Sequence, residues 1–236
     1  MTPSVTIVLP AYNAAGIVGD SVARLRAELP YDPLEIIVVD DGSRDRTAKE
    51  ASQADLVIEF NRNKGKGAAV RAGILRANGE IVVFTDVDLS YGPEVIQEVV
   101  AAVQKGVKEK GVKVCVGQRK IDTGTAIRKA GSRLIKWCTR RLLSEDYDTQ
   151  CGIKAFEGSL AKQIFSVVGM NRFAFDIEIF FIMKSWGVRF ETIDVVAEKR
   201  EASTVRAMRD GFTTLRDSMR IARRSRRGIY RKDESL

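Results

Sequence analysis

Histidine is absent from this 236-residue sequence, and cysteine is rare, with only three residues, Cys115, Cys138 and Cys151. The lack of histidine excludes a histidine-containing zinc site and any catalytic triad that depends on an imidazole base. The cysteines do not have the spacing of metal ligands, and we expect them to be reduced thiols that are mostly buried. The chain therefore lacks the residues of zinc-dependent and histidine-dependent enzymes.

Long apolar runs are also missing. No stretch approaches the roughly 20 consecutive apolar residues that a membrane-spanning helix needs. The first ten residues lack a charged segment followed by an apolar one and lead directly into a predicted strand, so we expect no secretory signal. With 44% apolar residues, the chain is long enough to bury the core of one large α/β domain. We expect a cytoplasmic protein without a transmembrane helix.

Positive charge is concentrated near the C-terminus. The chain carries 39 basic and 31 acidic residues, a net charge of +8, and residues 198–232 alone contribute 12 basic and 4 acidic residues. The rest of the chain is therefore neutral overall. A basic tail on a neutral body indicates a polyanionic partner, which is either a membrane surface or a nucleic acid.

Strand and helix patterns alternate along the first half of the chain. Strands are predicted at residues 5–9, 35–39, 56–60, 81–84 and 112–117, and helices end near residues 28 and 54 or span 65–77 and 93–103. This order predicts an α/β fold with a Rossmann-like, mostly parallel sheet and helices on both faces. Ligands bind such sheets beyond the carboxyl ends of the strands, where Tyr12, Asp41, Asp86 and Asp88 fall.

Two carboxylates follow the central strand. Ile81, Val82, Val83 and Phe84 form a short run that is typical of a buried strand, and Asp86 and Asp88 come directly after it. Side chains two positions apart on an extended chain point the same way, so both carboxylates can bind one hard cation such as Mg²⁺ or Mn²⁺. The alternative is that the two residues are solvated loop charges.

Other polar motifs each have two interpretations. The segment Asn63–Gly73 has glycines before a helix, so it either offers backbone N–H groups to an anion or forms a plain turn. Asp40 and Asp41 either cap a turn or contact a nucleoside. Arg119 and Arg128 are either surface charges or phosphate ligands.

Five motifs taken together carry a family resemblance. They are TIVLPAYN at 6–13, EIIVVDDGSRDRT at 35–47, NKGKGAAVRAG at 63–73, FTDVDLS at 84–90 and DTQCGIKAF at 148–156. In this order they resemble family 2 glycosyltransferases of the GT-A fold, and most of all the polyprenyl or dolichyl phosphate glycosyltransferases. The last motif, with FDIEIF at 175–180, is more similar to the β-glucosyltransferase branch than to the mannosyl branch. The resemblance therefore favours UDP-glucose over GDP-mannose as the donor.

The resemblance also implies a site. Nucleotide-sugar binding would involve Pro10, Ala11, Tyr12, Val39, Asp40, Asp41, Lys66, Asp86, Val87, Asp88, Arg119 and Arg128. Asp86 and Asp88 would hold Mg²⁺ or Mn²⁺. Asp148 ranks first among the catalytic carboxylates, ahead of Glu178 and Asp176, as the residue that orients the acceptor. The implied reaction is an inverting transfer of a sugar to a polyprenyl or dolichyl phosphate.

We divide the chain into a catalytic domain at 1–197, with a nucleotide-sugar half at about 1–120 and an acceptor half at about 121–197, and a basic amphipathic tail at 198–236. The tail has an apolar stripe at Val205, Met208, Phe212, Leu215, Met219 and Ala222, flanked by Arg206, Arg209, Arg220, Arg224 and Arg227. Such a helix is expected to lie on an anionic membrane surface at the cytoplasmic face. The alternative is that the stripe packs on the catalytic domain or on another subunit. A similar basic stretch at 126–143 is expected to form an acceptor lid.

Three further functions remain open from the sequence. The donor could be GDP-mannose, or the enzyme could be a soluble family 2 glycosyltransferase with a sugar or small-molecule acceptor. The third is a non-catalytic module whose basic tail binds nucleic acid. Nucleic acid is the less favoured partner, because after Ile221 only Tyr230 is able to stack on a base. The sequence leaves the oligomeric state open.

Overall fold

The structure, a computed structural model, describes residues 4–109, 111–119, 149, 151–196 and 207–232, with the backbone alone for 207–215. The strands are β1 (Val5–Ala11), β2 (Leu34–Asp40), β3 (Leu56–Glu59), β4 (Ile81–Phe84), β5 (Val114–Arg119), β6 (Lys154–Glu157) and β7 (Phe190–Val195). The helices are α1 (Val18–Glu28), α2 (Thr47–Glu50), α3 (Lys66–Arg76), α4 (Gly92–Glu109), α5 (Gly158–Val167), α6 (Ala174–Ser185) and α7 (Ala207–Arg226).

The seven strands form one sheet in the order β3-β2-β1-β4-β6-β5-β7. All neighbouring strands are parallel except β6, which runs antiparallel to both β4 and β5. The predicted mostly parallel sheet is therefore confirmed. Strand β6 was not predicted, because only Ala155 and Phe156 are apolar, between the charged residues Lys154 and Glu157.

Side chains alternate between two cores on opposite faces of the sheet. In β1, Ile7 and Leu9 pack with α1 and α4, whereas Val8 packs on the other face with α3, α5 and α6. The same alternation holds for Val82 and Val83 in β4. Because parallel strands are covered on both faces, they read as continuous apolar runs. The helices on both faces agree with the sequence-based expectation.

The order of the strands changes direction at β1. Strands β2 and β3 are added on one side of β1, and β4 pairs with its other side. The carboxyl ends of β1, β2, β4 and β5 meet at one edge of the sheet, which we call the ligand edge. Since β6 is antiparallel, its amino end reaches this same edge, where Lys154 is paired with Phe84. The ligand edge next to β1 is the position where doubly wound sheets bind their ligands.

Two helices differ in length from the prediction. Helix α2 has a single turn rather than extending to residue 54, because this polar segment buries only Thr47 before Ala51 and offers no continuous apolar face. Helix α4 extends past the predicted end to Glu109. Its Gly106 allows this, since an added Cβ would lie 2.7 Å from the carbonyl oxygen of Val112. The backbone of Gly106, in the last turn of the helix, therefore lies directly against the backbone of Val112.

The end of the tail packs on the main domain. Ile221 and Tyr230 are buried in the core on the α3 side of the sheet, while Met219 of the predicted apolar stripe is 51% exposed. Of the predicted stripe, the structure describes the side chains of Met219 and Ala222, and the other four lie outside the described side chains. In the described part of α7, the buried residues are Asp217, Ser218 and Ile221. In the part of the chain that the structure describes, no helix is long and apolar enough to cross a membrane.

Candidate active site

The loop after β1 leaves Tyr12 at the ligand edge with 47% of its surface exposed. Asn13 has a positive φ of 50°, and the loop is fixed by hydrogen bonds from its backbone. The N–H of Asn13 donates to Oγ of Ser43 at 2.8 Å, and the N–H of Ala14 donates to Oγ1 of Thr47 at 2.8 Å. The β1 loop is thus held by the β2 loop, and Tyr12 is presented on a fixed backbone. Pro10 and Ala11 end the strand behind it.

Asp40 and Asp41 end β2 and both accept hydrogen bonds from backbone groups. Oδ1 of Asp40 accepts from the N–H of Ser43 at 2.9 Å. The two oxygens of Asp41 accept from the N–H groups of Lys64 and Gly65 at 2.6 and 2.8 Å. Burial raises the pKa of Asp41, and these two hydrogen bonds partly offset that rise. Both carboxylates therefore shape the loops around the site, which favours the capping interpretation of this pair.

Residues 63–67, which we call the glycine loop, lie against residues 168–173, which we call the bridging loop. Gly65 has a φ of +107°, and a Cβ there would lie 2.5 Å from the carbonyl oxygen of Asn171. A Cβ on Gly67 would lie 2.7 Å from the carbonyl oxygen of Met170. The N–H of Ala68 donates to Asn171 at 3.1 Å. The glycines are required because two backbones touch here.

Lys66 opens α3 and donates a hydrogen bond to Oδ1 of Asp86. Burial by itself lowers the pKa of Lys66, but the negative charges of Asp86 and Asp176 outweigh this effect and raise the pKa above its usual value. Lys66 is therefore a stable cation beside the first carboxylate after β4. The structure brings these two predicted site residues together.

Asp86 also packs against the chain entering β6. A Cβ on Gly152 would lie 2.1 Å from Oδ2 of Asp86, so only glycine fits there. Asp88 accepts hydrogen bonds from the N–H and Oγ of Ser90 at 3.1 and 2.7 Å. Val87, between them, accepts a hydrogen bond from Oγ of Ser21 at 2.5 Å through its carbonyl oxygen. The turn after β4 is thereby fixed on three sides.

The donor atoms in this turn fit a hard divalent cation. Among the described residues, no three His, Cys, Asp or Glu side chains are grouped closely enough to hold a metal ion. Asp86 and Asp88 would supply two carboxylates and leave the other coordination positions of the cation for phosphate oxygens and water. This is how Mg²⁺ is commonly bound, through one or two carboxylates together with substrate phosphates and water. Binding of Mg²⁺ or Mn²⁺ by Asp86 and Asp88 stays a prediction.

A buried ion pair lies below this turn. Nζ of Lys154, which has no exposed side-chain surface, lies 2.7 Å from Oδ1 of Asp176 and donates to the carbonyl oxygen of Cys151 at 2.9 Å. Burial raises the pKa of Asp176, although Lys154 and Lys66 oppose the rise. The four side chains Asp86, Lys66, Asp176 and Lys154 thus alternate in charge. Lys154 was not among the predicted site residues. The sequence feature that indicates it is a lysine between apolar residues in the DTQCGIKAF motif.

Several predicted site residues are buried, among them Ala11, Asp176, Val39 and Glu178. The side chain of Val39 is 0% exposed and packs in the core beneath α3, so it does not line the ligand edge. Glu178 is also 0% exposed, and its carboxylate binds backbone and tail groups rather than facing the site. The side chains of Val39 and Glu178 thus face the interior, which motif order alone did not indicate.

Of the three remaining predicted residues, one lies at the ligand edge. Arg119 ends β5 at the ligand edge, and its positive charge acts on Tyr91, whose pKa is raised chiefly by burial. Asp148, Arg128 and the expected lid at 126–143 lie outside the described residues. Arg172 of the bridging loop was not predicted. Its Cγ would lie 3.0 Å from a Cβ on Gly65, and its charge slightly opposes the rise that burial causes in the pKa of Asp41, so Arg172 lies beside the glycine loop.

The chain is similar to several known proteins. A family model described as glycosyl transferase family 2 matches residues 6–165. The dolichyl-phosphate beta-glucosyltransferase of Homo sapiens is 26% identical over 262 residues, which cover 99% of this chain and 79% of the relative. The enzyme of the same name from Dictyostelium discoideum is 25% identical, over 96% of this chain and 76% of the relative. The undecaprenyl-phosphate 4-deoxy-4-formamido-L-arabinose transferase of Pseudomonas fluorescens is 32% identical, over 66% of this chain and 47% of the relative.

Solved structures with the same fold include two synthases. Mannosyl-3-phosphoglycerate synthase from Rubrobacter xylanophilus superposes with a TM-score of 0.73 at 21% identity, covering 99% of this chain and 78% of that one. Glucosyl-3-phosphoglycerate synthase from Mycobacterium tuberculosis, solved with Mn²⁺, UDP and glucosyl-3-phosphoglycerate, gives a TM-score of 0.67 at 19% identity, covering 92% and 80%. At these identities the likeness concerns the fold.

Proposed function

Because the chain belongs to glycosyltransferase family 2, we propose that it transfers glucose from UDP-glucose to the phosphate of a polyprenyl or dolichyl phosphate. The predicted GT-A fold is confirmed, and the chain is a glycosyltransferase. The choice of acceptor is supported by one observation. Nearly the whole chain aligns with relatives named as dolichyl-phosphate beta-glucosyltransferases. The name of the bacterial relative also contains a polyprenyl phosphate, with a different sugar.

The donor would bind at the ligand edge between β1 and β4. The exposed ring of Tyr12 is suited to the base of the nucleotide, because it stands on a loop that is fixed by hydrogen bonds. Lys66 and Arg119 would contribute positive charge toward the diphosphate. Asp86 and Asp88 would hold a divalent cation, which when bound neutralises charge on the departing diphosphate.

The chemical step would be a single displacement. An oxygen of the acceptor phosphate attacks the anomeric carbon, the bond from that carbon to the diphosphate breaks, and UDP leaves with the bonding electrons. The configuration at the anomeric carbon is inverted. A phosphate monoester has a second pKa of about 6, so at neutral pH the attacking oxygen is already deprotonated. The reaction therefore requires no strong general base, and Asp148 would orient the acceptor.

The tail would bring the enzyme to the acceptor. Arg216, Arg220, Arg223, Arg226 and Arg227 are exposed on or directly after α7, as is Met219. Basic residues near an anionic bilayer contribute about 1 kcal/mol each. These charges support a peripheral contact between the tail and an anionic membrane at its cytoplasmic face, where the lipid phosphate of the acceptor lies.

Product formation tests this function. Purified protein is incubated with radiolabelled UDP-glucose or GDP-mannose, with Mg²⁺, with Mn²⁺ or with EDTA, and with vesicles that contain or lack a polyprenyl phosphate. We expect label to enter the organic phase from UDP-glucose only when both metal and lipid phosphate are present. Label from GDP-mannose would reassign the donor.

A matched pair of variants strengthens this assay. Asp86→Asn should abolish transfer, whereas Asp20→Asn, on the exposed face of α1, should not change it. A further arm replaces the lipid by 3-phosphoglycerate, because the two solved structures described above are a mannosyl- and a glucosyl-3-phosphoglycerate synthase. Labelled glucosyl-3-phosphoglycerate, separated from UDP-glucose by anion-exchange chromatography and formed while no label enters the organic phase with the lipid, would refute the lipid assignment.

A further inference from the structure

The carboxylate of Glu178 on α6 joins two separate parts of the chain. Its Oε2 accepts hydrogen bonds from the N–H groups of Gly169 and Met170 in the bridging loop, at 2.9 and 2.7 Å. Its Oε1 accepts from the hydroxyl of Tyr230 and lies 3.3 Å from Nε of Arg224, both in the tail. Because the side chain is 0% exposed, all of these contacts replace water.

The tail side of this cluster is fixed by its own contacts. Nη2 of Arg224 donates to the carbonyl oxygen of Val167 at 2.7 Å, and its guanidinium lies so close to Gly169 that a Cβ there would be 2.5 Å from Cζ. The indole N–H of Trp186 donates to the carbonyl oxygen of Tyr230 at 2.7 Å. The ring of Tyr230 also packs on Phe181, with centroids 5.7 Å apart. The tail therefore holds the start of the bridging loop directly and through Glu178.

The other side of the bridging loop touches the donor site. The carbonyl oxygen of Asn171 accepts from Ala68 in the first turn of α3, and the loop backbone lies against Gly65 and Gly67 with no room for a Cβ. Between those glycines is Lys66, which binds Asp86. A shift of the bridging loop would therefore move the glycine loop, its two hydrogen bonds to Asp41, and the Lys66 ammonium.

We propose that Glu178 is a positioning residue that couples the C-terminal tail to the donor site, so that a docked tail holds Lys66 and the glycine loop in place. It acts through the bridging loop and does not touch the substrate. The coupling of the tail to the glycine loop follows from the contacts in this structure, whereas its effect on donor binding rests on the proposed function. Contact of the tail with a membrane would then affect the positions of Lys66 and the glycine loop in the nucleotide-sugar site.

Hydrogen exchange measures the coupling without any substrate. Tyr230→Phe removes only the hydroxyl, which donates to Glu178 and accepts from Nε of Arg224 at 3.0 Å, and leaves the bridging loop residues unchanged. We expect amide exchange of residues 64–69 to become roughly tenfold faster or more, because a factor of ten corresponds to about the loss of one charge-assisted hydrogen bond and this variant removes two. Exchange in α1, on the opposite face of the sheet, should stay the same. The control Arg226→Gln changes an exposed arginine near the end of α7 and should have no effect at 64–69.

A second variant and a kinetic readout complete the test. Glu178→Gln should give the same local increase in exchange, and in the transfer assay both variants should raise KM for the donor severalfold while KM for the acceptor stays constant. Tyr230→Phe keeps the test valid if Glu178→Gln does not fold. A lower melting temperature with unchanged exchange at 64–69 would overturn the coupling and leave Glu178 with a packing role only. If no donor is used at all, the proposed function fails while the exchange result still decides the coupling.

Discussion

The ammonium group of Lys66 donates a hydrogen bond to the carboxylate of Asp86, linking the first residue of α3 to the turn after β4. The two residues are 20 positions apart in sequence, and both predicted motifs meet at this one contact. Asp176 lies close enough to Lys66 that each alters the pKa of the other. The site thus combines a half-buried carboxylate, Asp86, with the buried ion pair of Asp176 and Lys154.

Replacing Lys66 by methionine should reduce transfer by about 10- to 100-fold, because removal of a charge-assisted hydrogen bond and of a cation near the diphosphate costs roughly 1.5–3 kcal/mol. Initial rates at varied donor concentration measure the effect. Lys64→Met is the matched control, since Nζ of Lys64 lies over the ring of Phe60, 4.1 Å from its centroid. Equal losses in both variants would contradict a specific role for Lys66.

Gly152→Ala should displace Asp86 because the new Cβ would meet Oδ2 at 2.1 Å. We expect near-complete loss of transfer and a decrease in the free energy of unfolding of about 1–3 kcal/mol, as in other overpacked sites. Activity assays and urea unfolding give the two values. Gly19→Ala in α1, where the nearest atom is 3.2 Å away, should retain activity. An active, fully stable Gly152→Ala protein would show that Asp86 has room to move.

Lys154→Met should leave the buried carboxylate of Asp176 without its ion-pair partner and lower the free energy of unfolding by about 3–5 kcal/mol. The double variant with Asp176→Leu should recover part of this loss. Denaturant unfolding of the two single variants and the double variant measures the coupling. Additive effects would contradict a direct pairing of these side chains.

The loss in Lys154→Met should depend on pH. Burial already raises the pKa of Asp176, and removal of Lys154 takes away the largest opposing effect, so the pKa should rise further. A carboxylate with a raised folded-state pKa binds its proton more tightly in the native state. The variant should therefore be closest to the wild type below about pH 4, the usual aspartate range, and lose stability as the pH rises. Unfolding curves from pH 4 to 8 test the sign, and an opposite trend would exclude this explanation.

Cys115 should be unreactive in the native protein. Burial raises the pKa of its thiol to about 12, with a smaller effect from Glu191, so at pH 8 only about one thiol in ten thousand is ionised. Maleimide labelling followed by peptide mapping should leave the Cys115 peptide unmodified in buffer and modified in urea. Labelling at similar rates in both conditions would mean that β5 opens readily.

Several features of the fold follow from local sequence. The strands β1, β2 and β4 consist of continuous apolar residues, and turn residues follow each one, so their positions and their parallel arrangement were predictable. The placement of Asp86 after the central strand follows from the same pattern. Helix boundaries were less predictable: the length of α4 depends on the contact between Gly106 and Val112, which no local pattern encodes.

The candidate site was predictable only in part, for the same reason. Tyr12, Asp41 and Asp86 are at the ligand edge because each follows a parallel strand. The inward positions of Val39 and Glu178 were missed, since motif order does not distinguish a side chain that faces the ligand from one that packs behind it. Arg172 was missed because its neighbour, the glycine loop, lies more than a hundred residues away in sequence.

The sequence by itself determined the alternation of strands and helices, the acidic turn after β4 and the basic character of the tail, because these depend on neighbouring residues. Tertiary structure alone decided that β6 runs antiparallel beside β4, which brings Gly152 against Asp86 and places Lys154 beneath the site. It also decided that Tyr230 and Arg224 of the tail share the carboxylate of Glu178. These contacts join residues 46 to 66 positions apart, and the burial and pairing that stabilise them exist only once the sheet has formed.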